Sequence, residues 1–376
     1  MLNAYIIKNG ILVSIMDGSE EKADILVEDG IITKIAEHIE EPSAEMIDAS
    51  GMYVSVGWLD AHCHFARIGD KVSIDVERDL LCQGITYAVD MGTLGPDDYA
   101  AYREKLLYKT NLPFKSFLYI GSRGAGGPRM DFEGPQDIVP ENVKRVAGQY
   151  RNELIGLKAR IDDKFCFDPN YVMNELRILG DELDMPIAVH APRSRIGIDT
   201  LLAYLKAGDV LCHALAGNSE VMEVLNEDGS IRQSVLEARE RGVILDLSHG
   251  TNAYRYETAE TAWKAGFFVD TISSDLHGGN INGPVFNLGV VLTKIRGLTN
   301  KPWHWILKKA VVEPVKLLHI SDKALELKEG MAADITIYKI EQGEFSYLDS
   351  KMEERTFKEK ISACYTCMGA HVYLCR

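Results

Sequence analysis

The sequence lacks several features that would assign it elsewhere. No apolar run approaches the roughly 20 residues needed to cross a bilayer, so no membrane partner is expected. The stretch Met1 to Gly10 has no basic segment followed by an apolar one and a small-residue cleavage site, which makes a cytoplasmic location the default expectation. Basic residues are in deficit: 41 Lys and Arg face 56 Asp and Glu, a formal net charge of -15. Such a surface repels phosphate backbones, and no nucleic-acid partner is expected. Cysteine is sparse and odd in number, seven in 376 residues, unlike the disulfide framework of a short secreted chain. The CxxC pair Cys364 and Cys367 has no second pair with it and reads as two strand or turn thiols. No repeat or low-complexity segment occurs. No GxGxxG run opens a helix, so nucleotide-dependent redox chemistry has no support.

What remains is the balance of a globular protein, 46% hydrophobic and 26% charged, long enough for one large domain and a smaller one. The first segment reads as hairpins: Tyr5–Lys8 and Ile11–Val13 flank Asn9-Gly10, and Asp24–Glu28 and Ile31–Ile35 flank Asp29-Gly30. From Val54 onward short apolar runs alternate with amphipathic stretches such as Tyr171–Leu183 and Ser234–Arg241. Strands alternating with helices imply parallel pairing. Counting the strand that opens near Tyr53, about eight such strands are expected, which favours a closed TIM (β/α)8 barrel. After Ile320 strand texture returns in Ala333–Tyr338 and His371–Leu374. The fold expected is therefore α/β, a barrel over residues 56–320 with a small β-sandwich built from residues 1–55 and 321–376.

The chemistry concentrates at strand ends. In Gly57-Trp58-Leu59-Asp60-Ala61-His62-Cys63-His64, the two histidines at i and i+2 point to one face, where both imidazoles can reach one cation, and Cys63 points to the other. Lys158, His190, His213, His249 and Asp275 each end an apolar strand in the same way. In a TIM barrel those ends open onto a single face. Lys158 is the unusual member, because a lysine ending a buried strand is costly unless paired or neutralised. It suits either a salt bridge or carbamylation, in which a neutral amine adds carbon dioxide and becomes an anion able to bridge two metals. For recognition of a substrate carboxylate, Arg160, Arg193 and Arg195 follow catalytic-face strands. His277 and His249 are candidates for supporting roles, and the glycine-rich loop 121–129 should lie over the same mouth.

The run Gly57 to His64, followed by Lys158, His190, His213 and Asp275, resembles the amidohydrolase superfamily, and the tail Gly330–Ile335 resembles the point where that family's chain re-enters its β-sandwich. Gly156–Arg160 and Ile272–His277 are similar to the amidohydrolase/deacetylase branch, whose members are often labelled dihydroorotases. The resemblance implies a binuclear metal-dependent hydrolase cleaving an amide or ester bond. His62, His64 and Asp275 would bind one divalent ion and His190 and His213 a second, zinc being preferred. Carbamylated Lys158 would bridge them together with a water or hydroxide. Two ions sharing a water make hydroxide available near neutral pH, and Asp275 would serve as general base and then acid. Loop 121–129 departs from the deacetylase branch, so no particular substrate is carried over. Deacylation of a small N-acyl amino acid or O-acyl hydroxy acid is the leading expectation. The alternatives are a cyclic-amide hydrolase of dihydroorotase type, an isoaspartyl dipeptidase-like enzyme, and a metal-free scaffold protein. Barrels of this kind often self-associate, which keeps a homo-oligomer open.

Overall fold

The computed structural model describes residues 2–126, 130–217 and 222–375. Two sheets organise them. The first is built from both chain ends: β1 (Ala4–Val13), β2 (Glu20–Glu28), β3 (Ile31–Ala36), β4 (Glu45–Asp48) and β5 (Tyr53–Val56) from the first 56 residues. The second, parallel, comprises β6 (Trp58–Cys63), β7 (Ile85–Met91), β8 (Phe114–Tyr119), β9 (Leu154–Arg160), β10 (Ile187–His190), β11 (Val210–Leu211) and β12 (Ile244–Leu245) in sequential order. β13 (Asp334–Leu348), β14 (Glu354–Met368) and β15 (His371–Leu374) return to the first sheet, β13 pairing with β5.

The parallel sheet closes on itself. Asp246 bridges Thr271 and Leu276 bridges Cys63, both parallel, so residues 271–276 form the eighth stave between β12 and β6. The last staves are short for a local reason: His213, Ser248 and Asp275 all have positive φ, between 41° and 63°, which breaks a regular ladder where the strands end. Helices cover the outside, among them α1 (Val76–Asp79), α2 (Tyr99–Lys109), α3 (Pro140–Gln149), α4 (Pro169–Leu183), α5 (Ile198–Tyr204), α6 (Gln233–Glu240), α7 (Tyr256–Lys264) and α8 (Leu288–Thr299). α4 starts where Asp168 accepts from Asn170 and Tyr171 N–H and turns its buried residues, Val172, Met173, Leu176 and Leu179, to the barrel. No helix among the described residues is long and apolar enough to cross a membrane.

The end sheet folds over its own core, in which Tyr5, Ile7, Ile25 and Val27 meet Ile335, Ile337 and Cys367. Ile31 at its far edge bridges Ala332, so the sheet wraps into a sandwich. This matches the architecture expected, with two corrections. Asn9-Gly10 is not a hairpin turn: β1 runs through it, with a shift of register between Ile7 and Gly10 against β2, and Asn9 at φ 62° forms a bulge. The expected hairpin exists only at Asp29-Gly30. The strand near Tyr53 is also two strands. β5 belongs to the sandwich and β6 to the barrel, and the chain changes sheet at Gly57, where a Cβ would stand 2.1 Å from Asp334 and Thr86. Cys364 and Cys367 both lie on β14 as free thiols.

Candidate metal centre

Four histidines, a lysine and an aspartate meet at the C-terminal mouth of the barrel. His62 and His64 leave the end of β6, Lys158 lies within β9, His190 closes β10, His213 follows β11 and Asp275 sits in the eighth stave. All are buried except His64 and His190, which are partly exposed. His62, His213 and Asp275 each bring a ligand atom within 4.8 Å of the others.

The hydrogen bonds decide which nitrogen each ring turns inward. His62 Nδ1 lies 3.1 Å from Asp246 Oδ2 and must donate to it. His64 Nδ1 lies 2.8 Å from Thr93 Oγ1, whose own proton goes to Asp90 Oδ2, so the ring donates here too. His213 Nδ1 donates to Ser248 O at 2.7 Å. Three bare Nε2 atoms then face one carboxylate: His62 at 3.5 Å and His64 at 3.1 Å from Asp275 Oδ1, and His213 at 4.0 Å from Oδ2. His190 adds a further nitrogen: its Nδ1 donates to the unprotonated His213 Nε2 at 2.7 Å, while its Nε2 lies 3.6 Å from Asp162 and has no hydrogen bond. Lone pairs and a negative charge converging in a largely buried site repel one another unless a cation lies between them. The donor set, imidazoles with one carboxylate, suits zinc and its first-row neighbours.

Electrostatics point the same way. Burial pushes His62 down to about 4, with the Lys158 charge adding to the effect. Burial lowers His190 against the opposing pull of Asp162, and burial with the His190 charge lowers His213 well below its ordinary value. Burial would raise Asp275, but the histidines around it hold it well below the ordinary carboxylate range. Burial thus works against protonation of His62, His190 and His213 while Asp275 is held ionised, the directions metal binding requires. His213 and Asp275 also take the left-handed backbone region, at φ 63° and 49°, a cost of about 1–3 kcal/mol that concentrates at functional sites.

Lys158 Nζ meets Cys212 Sγ at 2.8 Å, and among the described residues no carboxylate pairs with it. The salt bridge that the sequence left open for it is therefore not formed. The cavity over these groups holds about 420 Å³ and is lined by Phe165, Lys164, Arg193, Thr251 and His277 among others. Arg160 lines it as well, but the Nε–Nη2 edge of its guanidinium is engaged by Asp131, both bonds at 2.6 Å. Arg193 donates to Asp162 from both its backbone N–H and Nε. Arg195 pairs with Asp163 on the surface and does not line the cavity. His277 Nε2 meets Thr251 Oγ1 at 3.1 Å. His249 is fully buried and points away from the cavity, toward Lys294. Of the glycine-rich loop, Ala125 and Gly126 reach the cavity and residues 127–129 lie outside the described residues. A larger groove of about 770 Å³ opens at the other end of the barrel, but its charged residues Arg177, Asp181, Lys206 and Asp209 pair with one another.

The sequence reading missed Asp246, Thr93, Asp162, Cys212 and Lys164. Asp246 had a usable signal, a carboxylate inside the apolar run Val243–Leu247. The others sit in loops or between two ligands, where one chain position says nothing of its neighbour in space.

No family model matches the chain. A deacetylase of Enterococcus faecalis is 28% identical over 98% of this chain and 98% of its own length. A dihydroorotase of Streptococcus pneumoniae serotype 4 is 38% identical over 98% of this chain and 99% of its own length. The chain belongs to the amidohydrolase superfamily. A crystal structure of a dihydroorotase shares the amidohydrolase fold seen here, with a TM-score of 0.89 and 24% identity over 99% of this chain and 98% of that one. The relatives are hydrolases of amide bonds, and the converged imidazole and carboxylate groups form the candidate metal centre of such an enzyme.

Proposed function

We propose that this amidohydrolase deacylates a small N-acyl amino acid or O-acyl hydroxy acid. The observation that carries the reading is the convergence of three bare imidazole nitrogens on Asp275, each ring locked by a hydrogen bond on its far side. His62, His64 and Asp275 would hold one zinc ion, and His190 and His213 a second. Lys158, as a carbamate formed by carbon dioxide adding to Nζ with loss of a proton, would bridge them. Such ions polarise a carbonyl and acidify a water. The chain's own part is then acid–base work and positioning. Ionised Asp275 takes a proton from the attacking water on its carboxylate and returns it to the leaving amine or alkoxide. Buried Phe132 and Tyr119 back the Arg160–Asp131 pair, so Arg160 shapes the wall and holds Phe165 at 3.7 Å beneath its guanidinium. Lys164 is the rim cation without a carboxylate partner among the described residues, and with Arg193 it is placed to receive a substrate carboxylate.

The dihydroorotase relative favours a second reading, hydrolysis of a cyclic amide with the same residues in the same roles. One experiment separates the two. Zinc-loaded protein is offered N-acetyl and N-formyl amino acids of both hands, acetylated hydroxy acids, β-aspartyl dipeptides and dihydroorotate. Turnover of an acylated amino or hydroxy acid is expected, and turnover of dihydroorotate alone rejects the deacylase reading. On the substrate found, Asp275→Asn should lose about 10²-fold or more in kcat while keeping much of its metal. Lys158→Ala should lose metal and activity together and regain part of both with short carboxylic acids.

A further inference from the structure

Behind the cavity, a chain of contacts runs from a buried lysine to the loop beside Asp275 and His277. Lys294 on α8 is completely buried. Its Nζ lies 2.9 Å from His249 Nε2, 2.7 Å from Pro284 O and 2.8 Å from Leu348 O. An ammonium has three protons, and these three acceptors use them all. Because Nε2 accepts, the His249 proton sits on Nδ1, which donates to Gly250 O at 2.9 Å. The ring packs against Tyr254, tilted by 35° with 4.7 Å between centroids.

Gly250 is where this line meets the candidate catalytic carboxylate. Its φ is 55°, and a Cβ there would stand 2.4 Å from Asp275 Oδ2. Its N–H donates to Ser274 O at 3.0 Å, and the next residue, Thr251, makes the contact with His277. The second acceptor of Lys294, Pro284, ends the segment in which Asn280 Nδ2 donates to Asp275 O at 2.8 Å. The third, Leu348, is the last residue of β13, so the strut also ties the sandwich hairpin to the mouth.

We propose that Lys294 and His249 form a positioning strut that fixes loop 249–251 against Asp275 and His277. This rests on Asp275 being the acid–base group. A methionine would fill the same space without the penalty of burying an ammonium, so burial alone gives no reason for a lysine here. A neutral amine cannot do the same work. It has two protons for two carbonyls and would have to accept from His249 Nε2–H, leaving bare Nδ1 opposite Gly250 O. Burial lowers Lys294 to about 7, opposed by Asp349 at the hairpin tip; His249, Tyr254 and the Tyr347 ring are the other polar or titratable groups around it. The strut is therefore intact on the acid side of that value and lost above it.

The test uses zinc-loaded protein with Lys294→Met, His249→Leu and His249→Gln, the last keeping one acceptor and one donor. Thermal unfolding and zinc per chain establish that each variant is folded and loaded. On the substrate found above, Lys294→Met and His249→Leu should lose about 10²-fold in kcat with KM little changed, as expected for a misplaced acid–base group. The parent should show a fall in kcat above Lys294's value, Lys294→Met and His249→Leu should lose that fall, and His249→Gln should recover most of the activity. A folded, loaded Lys294→Met with the parent's kcat and pH profile overturns the strut. If no substrate turns over, the functional reading fails and 15N-labelled histidine decides the strut alone. The parent should show the Nδ1–H form of His249, and Lys294→Met should shift the resonances of both His249 and His277. An Nε2–H form in the parent, or an unmoved His277 in the variant, overturns it.

Discussion

At the scale of single residues, the groups that converge at the barrel mouth were legible and their supports were not. His62, His64, Lys158, His190, His213 and Asp275 stand out because each interrupts or ends an apolar strand, and a barrel brings strand ends together whatever their distance in sequence. Asp246 ends no strand and reads as part of one, yet it takes four donors: His62 Nδ1, Thr271 Oγ1 at 2.7 Å, Ser273 Oγ at 2.8 Å and Ser248 Oγ. Burial would raise its pKa, but those donors hold it below the ordinary value. Its work is to fix the His62 tautomer so that Nε2 is bare. In Asp246→Asn one oxygen becomes an NH2 that confronts those donors. Metal affinity should fall about 10–100-fold, the usual cost of removing a carboxylate behind a histidine ligand, measured by competition with a chromogenic chelator. Unchanged affinity would mean that His62 is held by its strand alone.

At the scale of elements, identical local signals had different outcomes. Asn9-Gly10 and Asp29-Gly30 both read as two-residue turns. Only the second is one, because β1 must continue past Asn9 to pair with β5 at Ile11 and Leu12, and Asp24 takes the Asn9 N–H freed by the bulge. The long β13–β14 hairpin was equally hidden: its outer half alternates charged and exposed residues over the barrel, without the apolar run that marked its inner half. Of the glycine-rich loop expected at the mouth, Ala125 and Gly126 reach it, but what holds them was not visible in sequence. Arg67, buried three residues beyond His64, donates to Ala125 O at 3.2 Å, to Thr93 O at 3.1 Å and to Arg123 O. One guanidinium thereby joins the loop to the turn that orients His64. Arg67→Met should lower stability by about 2 kcal/mol, since three carbonyls lose a charged donor. It should also open residues 121–126 to protease and raise KM more than it lowers kcat. Arg67→Lys should rescue little, because a single ammonium on a flexible stem does not reproduce the fork. Proteolysis rates matching the parent's would show that the loop is held by its own packing.

At the scale of the whole molecule, the two chain ends form one sheet, so neither end's sandwich half exists without the other. Leu2 N–H reaches Ala370 O, Ala333 N–H reaches Gly30 O, and Tyr5 OH donates to Gly369 O at 3.0 Å. That sheet is tied to the barrel through Thr336, which accepts from Trp58 N–H and donates to Gly84 O. Damage to the sandwich should therefore be felt at the metal centre. Asp24 is the point to test this, since it is buried and accepts from Lys8 Nζ at 2.8 Å and from the Asn9 and Ile39 N–H groups. Burial would raise its pKa, but the Lys8 ammonium and the two N–H groups win and lower it. A carboxyl with a depressed folded value stabilises fully above the unfolded value of about 3.9, and that contribution is lost as pH falls through the folded one. Asp24→Asn should therefore cost about 2–3 kcal/mol near neutral pH, read as a lower urea midpoint. The gap from the parent should narrow as both are acidified below the unfolded value. Release of zinc from the loaded protein should follow the same midpoint as loss of the sandwich, the outcome expected if the Thr336 bonds couple the two sheets into one unfolding unit. Retention of zinc past that midpoint would mean that the barrel stands without its sandwich and that the long hairpin plays no part in holding the mouth.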